Sequence, residues 1–296
     1  MQPVDPEISE GFFSNRDNNE NLMRALSRLT SFPEDHRTFW FVAGLMLHRR
    51  DFGRLWRLCA EFRQRGHWSA YIPSAMAQSA SSPQQLLESR DLLDDSVWLA
   101  ESDLTVPSGF NESLARELVS HEALAELVPT RATAGPGHWL NHLEVRGGPL
   151  ARELLKMTSG AVEAYFDARC VRSEHVMIAH APDSVRLRSW ATVLHGGGHE
   201  GWHVHPDGWI SGVYYVQLPE PAAAVSRNAP PPGAIQFGVY PFESGVTDKL
   251  LLSRVIQPSV GKLLLFPSYF AHRTWPTGAD SRRICVAFDV VPTESA

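Results

Sequence analysis

Three histidines on two separate segments are the residues of this chain best suited to hold a metal ion. His203 and His205 stand two residues apart in the segment His-Val-His-Pro, shortly after a run of three glycines. Because alternate residues of a β-strand point to the same face, both imidazoles are expected to enter one cavity. Imidazole nitrogens suit borderline metals such as iron and zinc. This pair predicts two ligands of a metal site.

The third predicted ligand is His272, which ends a second segment. An apolar stretch begins at Gly261, turns at Pro267 and reaches His272 five residues later. A facial non-haem iron site combines two nearby ligands with a third from elsewhere in the chain and leaves coordination positions open. The two segments together therefore predict a non-haem iron site.

Arg283 is predicted to bind a carboxylate beside this metal. It follows His272 by eleven residues and opens another apolar run, in which Cys285 lies on the same side of a strand. The open positions of such an iron take dioxygen and a bidentate 2-oxo acid. The far carboxylate of 2-oxoglutarate then needs a cation, and the planar fork of arginine matches it.

The bulk properties of the chain exclude several other classes of protein. The chain has 296 residues, a formal net charge of −6 and a pI near 6.1, with no basic run that would suggest nucleic-acid binding. Its three cysteines are far apart, which disfavours a disulfide framework and a zinc ribbon. We see no signal peptide, and the longest apolar run, residues 39–47, is too short to cross a bilayer. These features predict a soluble cytoplasmic protein without membrane or nucleic-acid partners.

The first half of the chain is predicted to be helical. In residues 52–65, apolar side chains recur at three- and four-residue steps, and a helix over 36–48 precedes them. Ser82 followed by Pro83 opens another helix, and further helices are predicted at 111–127 and 149–168. We predict an N-terminal helical region over 1–80, which has the size of a degenerate tetratricopeptide-like pair, and a second domain over 81–296.

From about residue 174 the apolar period changes to two, which indicates strands. Their number and short length predict a double-sheet jelly roll, and so an α+β chain with a cupin-like barrel after its helices. The predicted strands are 174–180, 185–194, 209–218, 234–238, 250–256, 261–266 and 283–291.

Residues 90–292 resemble the 2-oxoglutarate/Fe(II) oxygenases that are often fused to tetratricopeptide repeats. The resemblance rests on several motifs in one order along the chain. It implies a double-stranded β-helix, bound Fe(II), and 2-oxoglutarate and O₂ as co-substrates. The motifs are His-Val-His-Pro at 203–206, Trp209, Ser-Gly-Val-Tyr-Tyr-Val at 211–216, Phe-Pro-Ser-Tyr-Phe at 266–270, His272, and Arg283 with the Val-Ala-Phe-Asp run after it.

By this resemblance His203 and His272 are iron ligands, and Arg283 and Tyr215 bind the 2-oxoglutarate carboxylate. Cys285 stands where a serine often follows the arginine. The chain departs from the general His-x-Asp pattern, because His205 occupies the place of the aspartate. We predict His205 as the third ligand, with Asp207 or a water molecule as alternatives.

The predicted function is a 2-oxoglutarate-dependent oxygenase, most simply a hydroxylase of an amino acid, a peptide or a metabolite. No general acid or base is predicted apart from the metal ligands. One alternative is a three-histidine cupin that acts as a dioxygenase or isomerase without 2-oxoglutarate. Arg283 separates the two, because a cupin has no need of it. A second alternative is a non-catalytic binding or scaffold protein, which would bind no iron.

Overall fold

The structure, a computed structural model, describes residues 19–128, 133–219, 230–242, 253–278 and 281–293. The chain divides into two compact units, which are described separately below. The first comprises residues 1–89 with 241–249, and the second comprises 90–240 with 250–296. The boundary after Ser89 lies nine residues beyond the predicted boundary at residue 80. No helix of the described residues is long and apolar enough to cross a membrane.

The first unit is helical. Its core forms because each helix buries one apolar stripe, as with Leu55, Cys59 and Phe62 in the third helix. The second helix is capped by Asp35, whose side chain accepts a hydrogen bond from Thr38 N at 3.0 Å. The helices are α1 (Asn19–Ser31), α2 (His36–His48), α3 (Phe52–Gln64), α4 (Ile72–Ser79) and α5 (Pro83–Leu92), the last of which continues into the second unit.

The second unit combines helices with antiparallel sheets. Its remaining helices are α6 (Asp95–Trp98), α7 (Phe110–Val119), α8 (Leu143–Arg146), α9 (Pro149–Asp167) and α10 (Val176–Ala179). Its strands are β1 (Ala100–Asp103), β2 (Ala125–Glu126), β3 (Thr133–Ala134), β4 (Gly137–Asn141), β5 (Val185–His195), β6 (His199–Glu200), β7 (Ile210–Gln217), β8 (Ile235–Gly238), β9 (Ser253–Ile256), β10 (Lys262–Pro267), β11 (Ala271–Thr274) and β12 (Arg282–Pro292).

Three sheets are formed by these strands. A seven-stranded sheet has the order β1-β10-β7-β12-β5-β4-β2, a three-stranded sheet has the order β11-β8-β9, and β3 pairs with β6. Every pairing is antiparallel, and strands distant in sequence lie side by side, which means that the chain crosses over repeatedly. The longest strands, β5 and β12, pair over eleven residues at the centre of the large sheet. A mixed helical and antiparallel-sheet fold is therefore confirmed.

The register of the large sheet determines which side chains share a face. Side chains on a strand point to opposite faces in turn, so every second residue of β12 shares a face. One face carries residues 283, 285, 287 and 289. Cys285 pairs with Thr192 on one side and Tyr215 on the other, and Asp289 pairs with Arg188 and Ser211. This single face of the sheet supplies one wall of the cavity described below.

One predicted element is wrong, and a second is wrong in part. Residues 174–180 form no strand, because His175 Nδ1 accepts a hydrogen bond from Met177 N and thereby caps the short helix α10. The helix predicted over 111–127 ends at Val119, and residues 125–126 form strand β2. Strand β1 was missed because its sequence, Ala-Glu-Ser-Asp, has no apolar alternation. The first three residues of the strand predicted at 250–256 lie outside the described residues.

Candidate active site

An extended segment, residues 203–205, runs antiparallel to residues 268–272. His203 and His272 exchange both backbone hydrogen bonds at 3.0 Å, and His205 N donates to Ser268 O at 2.9 Å. The segment is a single bridge rather than the full strand assumed from the sequence. Two-residue alternation nevertheless holds along it, and it directs both histidines toward His272.

The three imidazoles form one cluster. One ring nitrogen from each of His203, His205 and His272 lies within 4.8 Å of the others, which is a separation that a single metal ion can span. The ring centroids of His203 and His272 are 4.2 Å apart, and the other two pairs are at 5.2 and 5.1 Å. Within the described residues, this is the only group of three or more His, Cys, Asp or Glu side chains with that geometry.

The Nδ1 atom of each ring has an acceptor. His203 Nδ1 donates to Gly201 O at 2.7 Å, and His272 Nδ1 donates to Phe270 O at 2.9 Å. His205 Nδ1 lies 2.5 Å from a carboxylate oxygen of Asp289. Since carbonyl and carboxylate oxygens only accept, the proton belongs on Nδ1 and the lone pair on Nε2, which is free to bind a metal.

Burial and mutual repulsion keep two of these rings neutral. Burial lowers the pKa of His272 well below its ordinary value, and the neighbouring His203 and His205 add to the effect. Burial likewise lowers the pKa of His203. For His205 burial acts in the same direction, but the carboxylate of Asp289 outweighs it and raises the pKa. Metal binding requires neutral imidazole, so the lowered pKa values of His203 and His272 favour a cation over protons at these two rings.

Asp289 is buried beside the cluster and accepts several hydrogen bonds. Its side chain is 1% exposed. Ser211 Oγ donates to Oδ1 at 2.7 Å, and the guanidinium of Arg188 donates to Oδ2 at 2.8 Å. Although burial acts to raise its pKa, these donors and His205 together lower it to about 2, so the carboxylate is ionised.

Arg283 and Tyr215 lie at another part of the same site. The Arg283 side chain is 2% exposed, and its Cζ is 5.4 Å from the centroid of the Tyr215 ring. Within the part of the chain that the structure describes, no well-aligned hydrogen bond reaches the Nε and one terminal nitrogen of Arg283 or the Tyr215 hydroxyl. The guanidinium and this hydroxyl are nevertheless close enough to interact electrostatically. The carboxylate of Glu200 approaches Arg283 only to 3.7 Å. Burial raises the pKa of Tyr215, so its hydroxyl remains a donor.

A cavity joins the three histidines to Arg283. It is bounded by the three histidines and by Arg283, together with side chains from β5, β7, β10 and β12. The remaining lining residues are Trp190, Thr192, Glu200, Gly212, Val213, Ile235, Phe266, Thr274, Cys285 and Ala287. Cys285 is buried there, and burial raises the pKa of its thiol to about 11.

The alternative ligand Asp207 lies outside the cluster. Its side chain is 65% exposed and pairs with Arg188 at 3.0 Å. The structure thus brings together His203, His205 and His272 with Arg283 nearby, and leaves Asp207 at the surface. Which residues bind iron remains a prediction.

Three residues of the site were missed from the sequence, namely Asp289, Ser211 and Glu200. Two of them carried a detectable signal. Extending the two-residue alternation from Arg283 and Cys285 leads directly to Asp289, and the same alternation from Tyr215 leads to Ser211. Glu200 gave no such signal. It lies on β6, a two-residue strand, and its place beside Arg283 depends on the pairing of β6 with β3.

Comparison with known proteins gives one family match, over part of the chain. Residues 188–289 match the model of a family described as "Putative 2OG-Fe(II) oxygenase". The matched segment contains the three histidines, Tyr215 and Arg283, and it ends at Asp289. No curated protein is significantly similar to the chain in sequence.

The solved structures that match this chain are distant in sequence, and their TM-scores lie below 0.5. A Pseudomonas putida prolyl-4-hydroxylase is 12% identical, with 69% of this chain and 98% of that chain covered and a TM-score of 0.46. A Trichoplax adhaerens prolyl hydroxylase, in complex with a hypoxia inducible factor peptide fragment, is 15% identical, with 72% and 94% covered and a TM-score of 0.44. HygX from Streptomyces hygroscopicus, solved with nickel and 2-oxoglutarate, is 15% identical, with 73% and 89% covered and a TM-score of 0.42.

The family match and the histidine cluster lie on the same residues. The cluster has the spacing and the free nitrogens that a metal requires. Residues 188–289, about a third of the chain, therefore match the 2OG-Fe(II) oxygenase family, and the histidine cluster within them has the geometry to bind the Fe(II) that this family's description names.

Proposed function

We propose that this chain is a 2-oxoglutarate-dependent hydroxylase in which His203, His205 and His272 bind Fe(II) through Nε2. In the same proposal, Arg283 and Tyr215 hold the far carboxylate of 2-oxoglutarate. The observation that carries it is the buried guanidinium of Arg283, which has unpaired nitrogens and lines the same cavity as the histidines.

The three-histidine ligand set is supported by the hydrogen bonds of the rings. Each Nδ1 proton is held by an oxygen acceptor, so all three Nε2 lone pairs are available without rearrangement. Such outer contacts fix both the tautomer and the orientation of metal-binding histidines. A surface or purely structural histidine has no need of this arrangement in triplicate.

The carboxylate-binding role of Arg283 is supported by the cost of its burial. A buried charge without strong hydrogen bonds is unfavourable by several kcal/mol in order of magnitude, roughly the penalty of removing an ion from water. Glu200 at 3.7 Å offsets part of this charge but makes no hydrogen bond. A bound carboxylate would accept from Arg283 and from the Tyr215 hydroxyl, and it would satisfy both. This argument favours 2-oxoglutarate over a three-histidine cupin without it.

We infer further that the large and the three-stranded sheets are the two walls of a double-stranded β-helix. The histidine-bearing segments support this architecture. His272 lies on β11 of the small sheet, whereas Arg283 and Tyr215 lie on β12 and β7 of the large one. A cavity lined from both sheets is typical of a barrel.

Bound iron would supply the oxidation of substrate with O₂ and 2-oxoglutarate. The chain itself binds and orients the co-substrate and excludes water, with Phe266, Val213 and Ile235 forming apolar wall. No separate acid or base is required. We propose an amino acid, a peptide side chain or a metabolite as the substrate, with hydroxylation as the outcome.

The test is an anaerobic titration of the metal-free protein with Fe(II) and then 2-oxoglutarate, followed by visible absorption. We expect a metal-to-ligand charge-transfer band that His203→Ala and His272→Ala abolish. Arg283→Ala should retain iron but require far more 2-oxoglutarate. Arg273→Ala is the matched control, because this partly buried arginine contacts Gln236 and does not line the cavity. Iron binding without a band, or an unchanged 2-oxoglutarate requirement in Arg283→Ala, would contradict the proposal.

A further inference from the structure

We propose that Asp289 is a positioning residue for the metal, acting through His205. Three neutral imidazoles bring no negative charge to a divalent ion. A carboxylate hydrogen-bonded to the far nitrogen of one ligand makes that imidazole a stronger electron donor. Asp289 would thus supply, through the His205 ring, the negative charge that a directly bound carboxylate gives to the metal. This inference rests on the proposed function, in which His205 is a ligand.

The contacts of Asp289 distinguish His205 from the other two histidines. His203 and His272 donate to neutral backbone carbonyls, whereas His205 donates to an ionised carboxylate. The distance from His205 Nδ1 to Asp289 Oδ1 is 2.5 Å, which is shorter than a neutral N–H···O bond, as expected when the acceptor is charged. Only one of the three proposed ligands therefore receives a negative partner.

The position of Asp289 is fixed by the strands on both sides. On β12 it lies opposite Arg188 of β5 and Ser211 of β7, and both side chains donate to it. Ser211 also contacts Ser268 Oγ at 2.8 Å, which links the carboxylate to the segment after β10. A carboxylate held from three directions cannot turn away from His205, and so it also fixes the ring.

Arg188 keeps the carboxylate in place without contacting the histidine ring by hydrogen bond. Its guanidinium bridges the buried Asp289, at 2.8 Å, and the exposed Asp207, at 3.0 Å. The two aspartates are therefore a natural pair for comparison. They share one arginine, but only Asp289 contacts His205.

The experiment compares Asp289→Asn with Asp207→Asn, using Co(II) alone as the first probe. Each change removes the negative charge of one aspartate that pairs with Arg188, and each preserves the side-chain volume. We expect Asp289→Asn to weaken Co(II) affinity 10- to 100-fold, the usual effect of losing such an outer contact. It should also shift the Fe(III)/Fe(II) potential to a more positive value, because the oxidised ion needs the charge more. Asp207→Asn should change affinity by less than about twofold, since exposed pairs contribute little.

A purely structural role for Asp289 would lower the thermal stability of the metal-free protein and leave the potential unchanged. If both variants bind Co(II) like the wild type and keep its potential, the inference is wrong while the histidine site stands. If the wild type itself binds no Co(II), the proposed function fails with it.

A second measurement covers the case in which Asp289→Asn does not fold. In the Co(II)-loaded wild type, each ligand bound through Nε2 gives an exchangeable, shifted Nδ1–H resonance. We expect the His205 signal, identified by its response to Ser211→Ala, to exchange with water most slowly of the three. Equal exchange of all three signals would overturn the inference.

Discussion

The two ends of the cavity differ in how far their polar groups are paired. At the histidine end, every Nδ1 atom has an acceptor and Asp289 has donors from three side chains. At the arginine end, the described structure gives no hydrogen-bond partner to Nε and one terminal nitrogen of Arg283 or to the Tyr215 hydroxyl. The first end is organised before any ligand arrives. The second has buried polar groups without hydrogen-bond partners among the described residues, which a bound carboxylate would satisfy.

The largest expected effect comes from Arg283→Met, which removes the charge and keeps much of the volume. We expect the affinity for 2-oxoglutarate to fall about 100-fold, which corresponds to roughly 3 kcal/mol for charge-assisted bonds. Stability of the metal-free protein should stay the same or rise, because an apolar side chain replaces a poorly paired buried charge. Isothermal titration and chemical denaturation measure the two quantities. A strong loss of stability would mean that Arg283 is already paired, and the contrast between the ends would disappear.

At the histidine end of the cavity, Ser211→Ala should lower stability more than it lowers the affinity for 2-oxoglutarate. The change removes a donor from a buried carboxylate, and we expect the free energy of unfolding to fall by about 2 kcal/mol. The affinity for 2-oxoglutarate should change little. Ser159→Ala is the control, because its hydroxyl donates only to Leu155 O within helix α9. Denaturant titration of the metal-free proteins decides the matter, and an unaltered midpoint for Ser211→Ala would count against a preorganised end.

Two adjacent tyrosines allow a smaller and sharper comparison. Tyr214 donates to Asn111 Oδ1 at 2.8 Å, whereas the Tyr215 hydroxyl is unpaired within the described residues. Tyr215→Phe should lower the affinity for 2-oxoglutarate about tenfold without loss of stability. This is the effect expected from losing one hydrogen bond to a charged group, about 1.5 kcal/mol. Tyr214→Phe should lower stability by about 1 kcal/mol and leave the affinity unchanged. Identical behaviour of the two variants in both assays would refute the distinction.

The smallest effect is expected for Glu200→Gln. The carboxylate lies 3.7 Å from Arg283 and competes with an incoming carboxylate for the same cation. Its removal should therefore strengthen 2-oxoglutarate binding two- to fivefold, about 0.5–1 kcal/mol for a loosely held pair. Glu101→Gln, which removes one of the two carboxylates that pair with Arg254 elsewhere in this unit, should have no such effect. Weaker binding in Glu200→Gln would show that Glu200 helps to hold the co-substrate.

The sequence predicted which three histidines would lie together better than it predicted the chain path between them. His203, His205 and His272 were found because two-residue alternation and a distant apolar strand are local patterns. The structure brings their rings together although His205 belongs to no strand. Whether they bind iron, and whether Tyr215 and Arg283 bind the co-substrate, stays a prediction.

What the sequence could not give depends on pairing between distant strands. Ser211 and Arg188 meet Asp289 because β12 lies between β7 and β5, an order that no local pattern specifies. The short strands β1 to β4 were missed for a related reason. They are held by their neighbours rather than by their own apolar alternation, as the exposed sequence of β1 illustrates. The strands with strong alternation, such as 185–194 and 283–291, were confirmed within a residue at either end.

The fixed charges around the cavity have a thermodynamic consequence for loading. Arg283 and Arg188 carry two positive charges, and Glu200 and Asp289 carry two negative ones, so these four groups sum to zero. A divalent cation alone would leave a local excess of positive charge, and a dicarboxylate alone would leave an excess of negative charge. Each partner therefore binds better when the other is present. By linkage, the factor by which metal raises the affinity for 2-oxoglutarate equals the factor by which 2-oxoglutarate raises the affinity for metal.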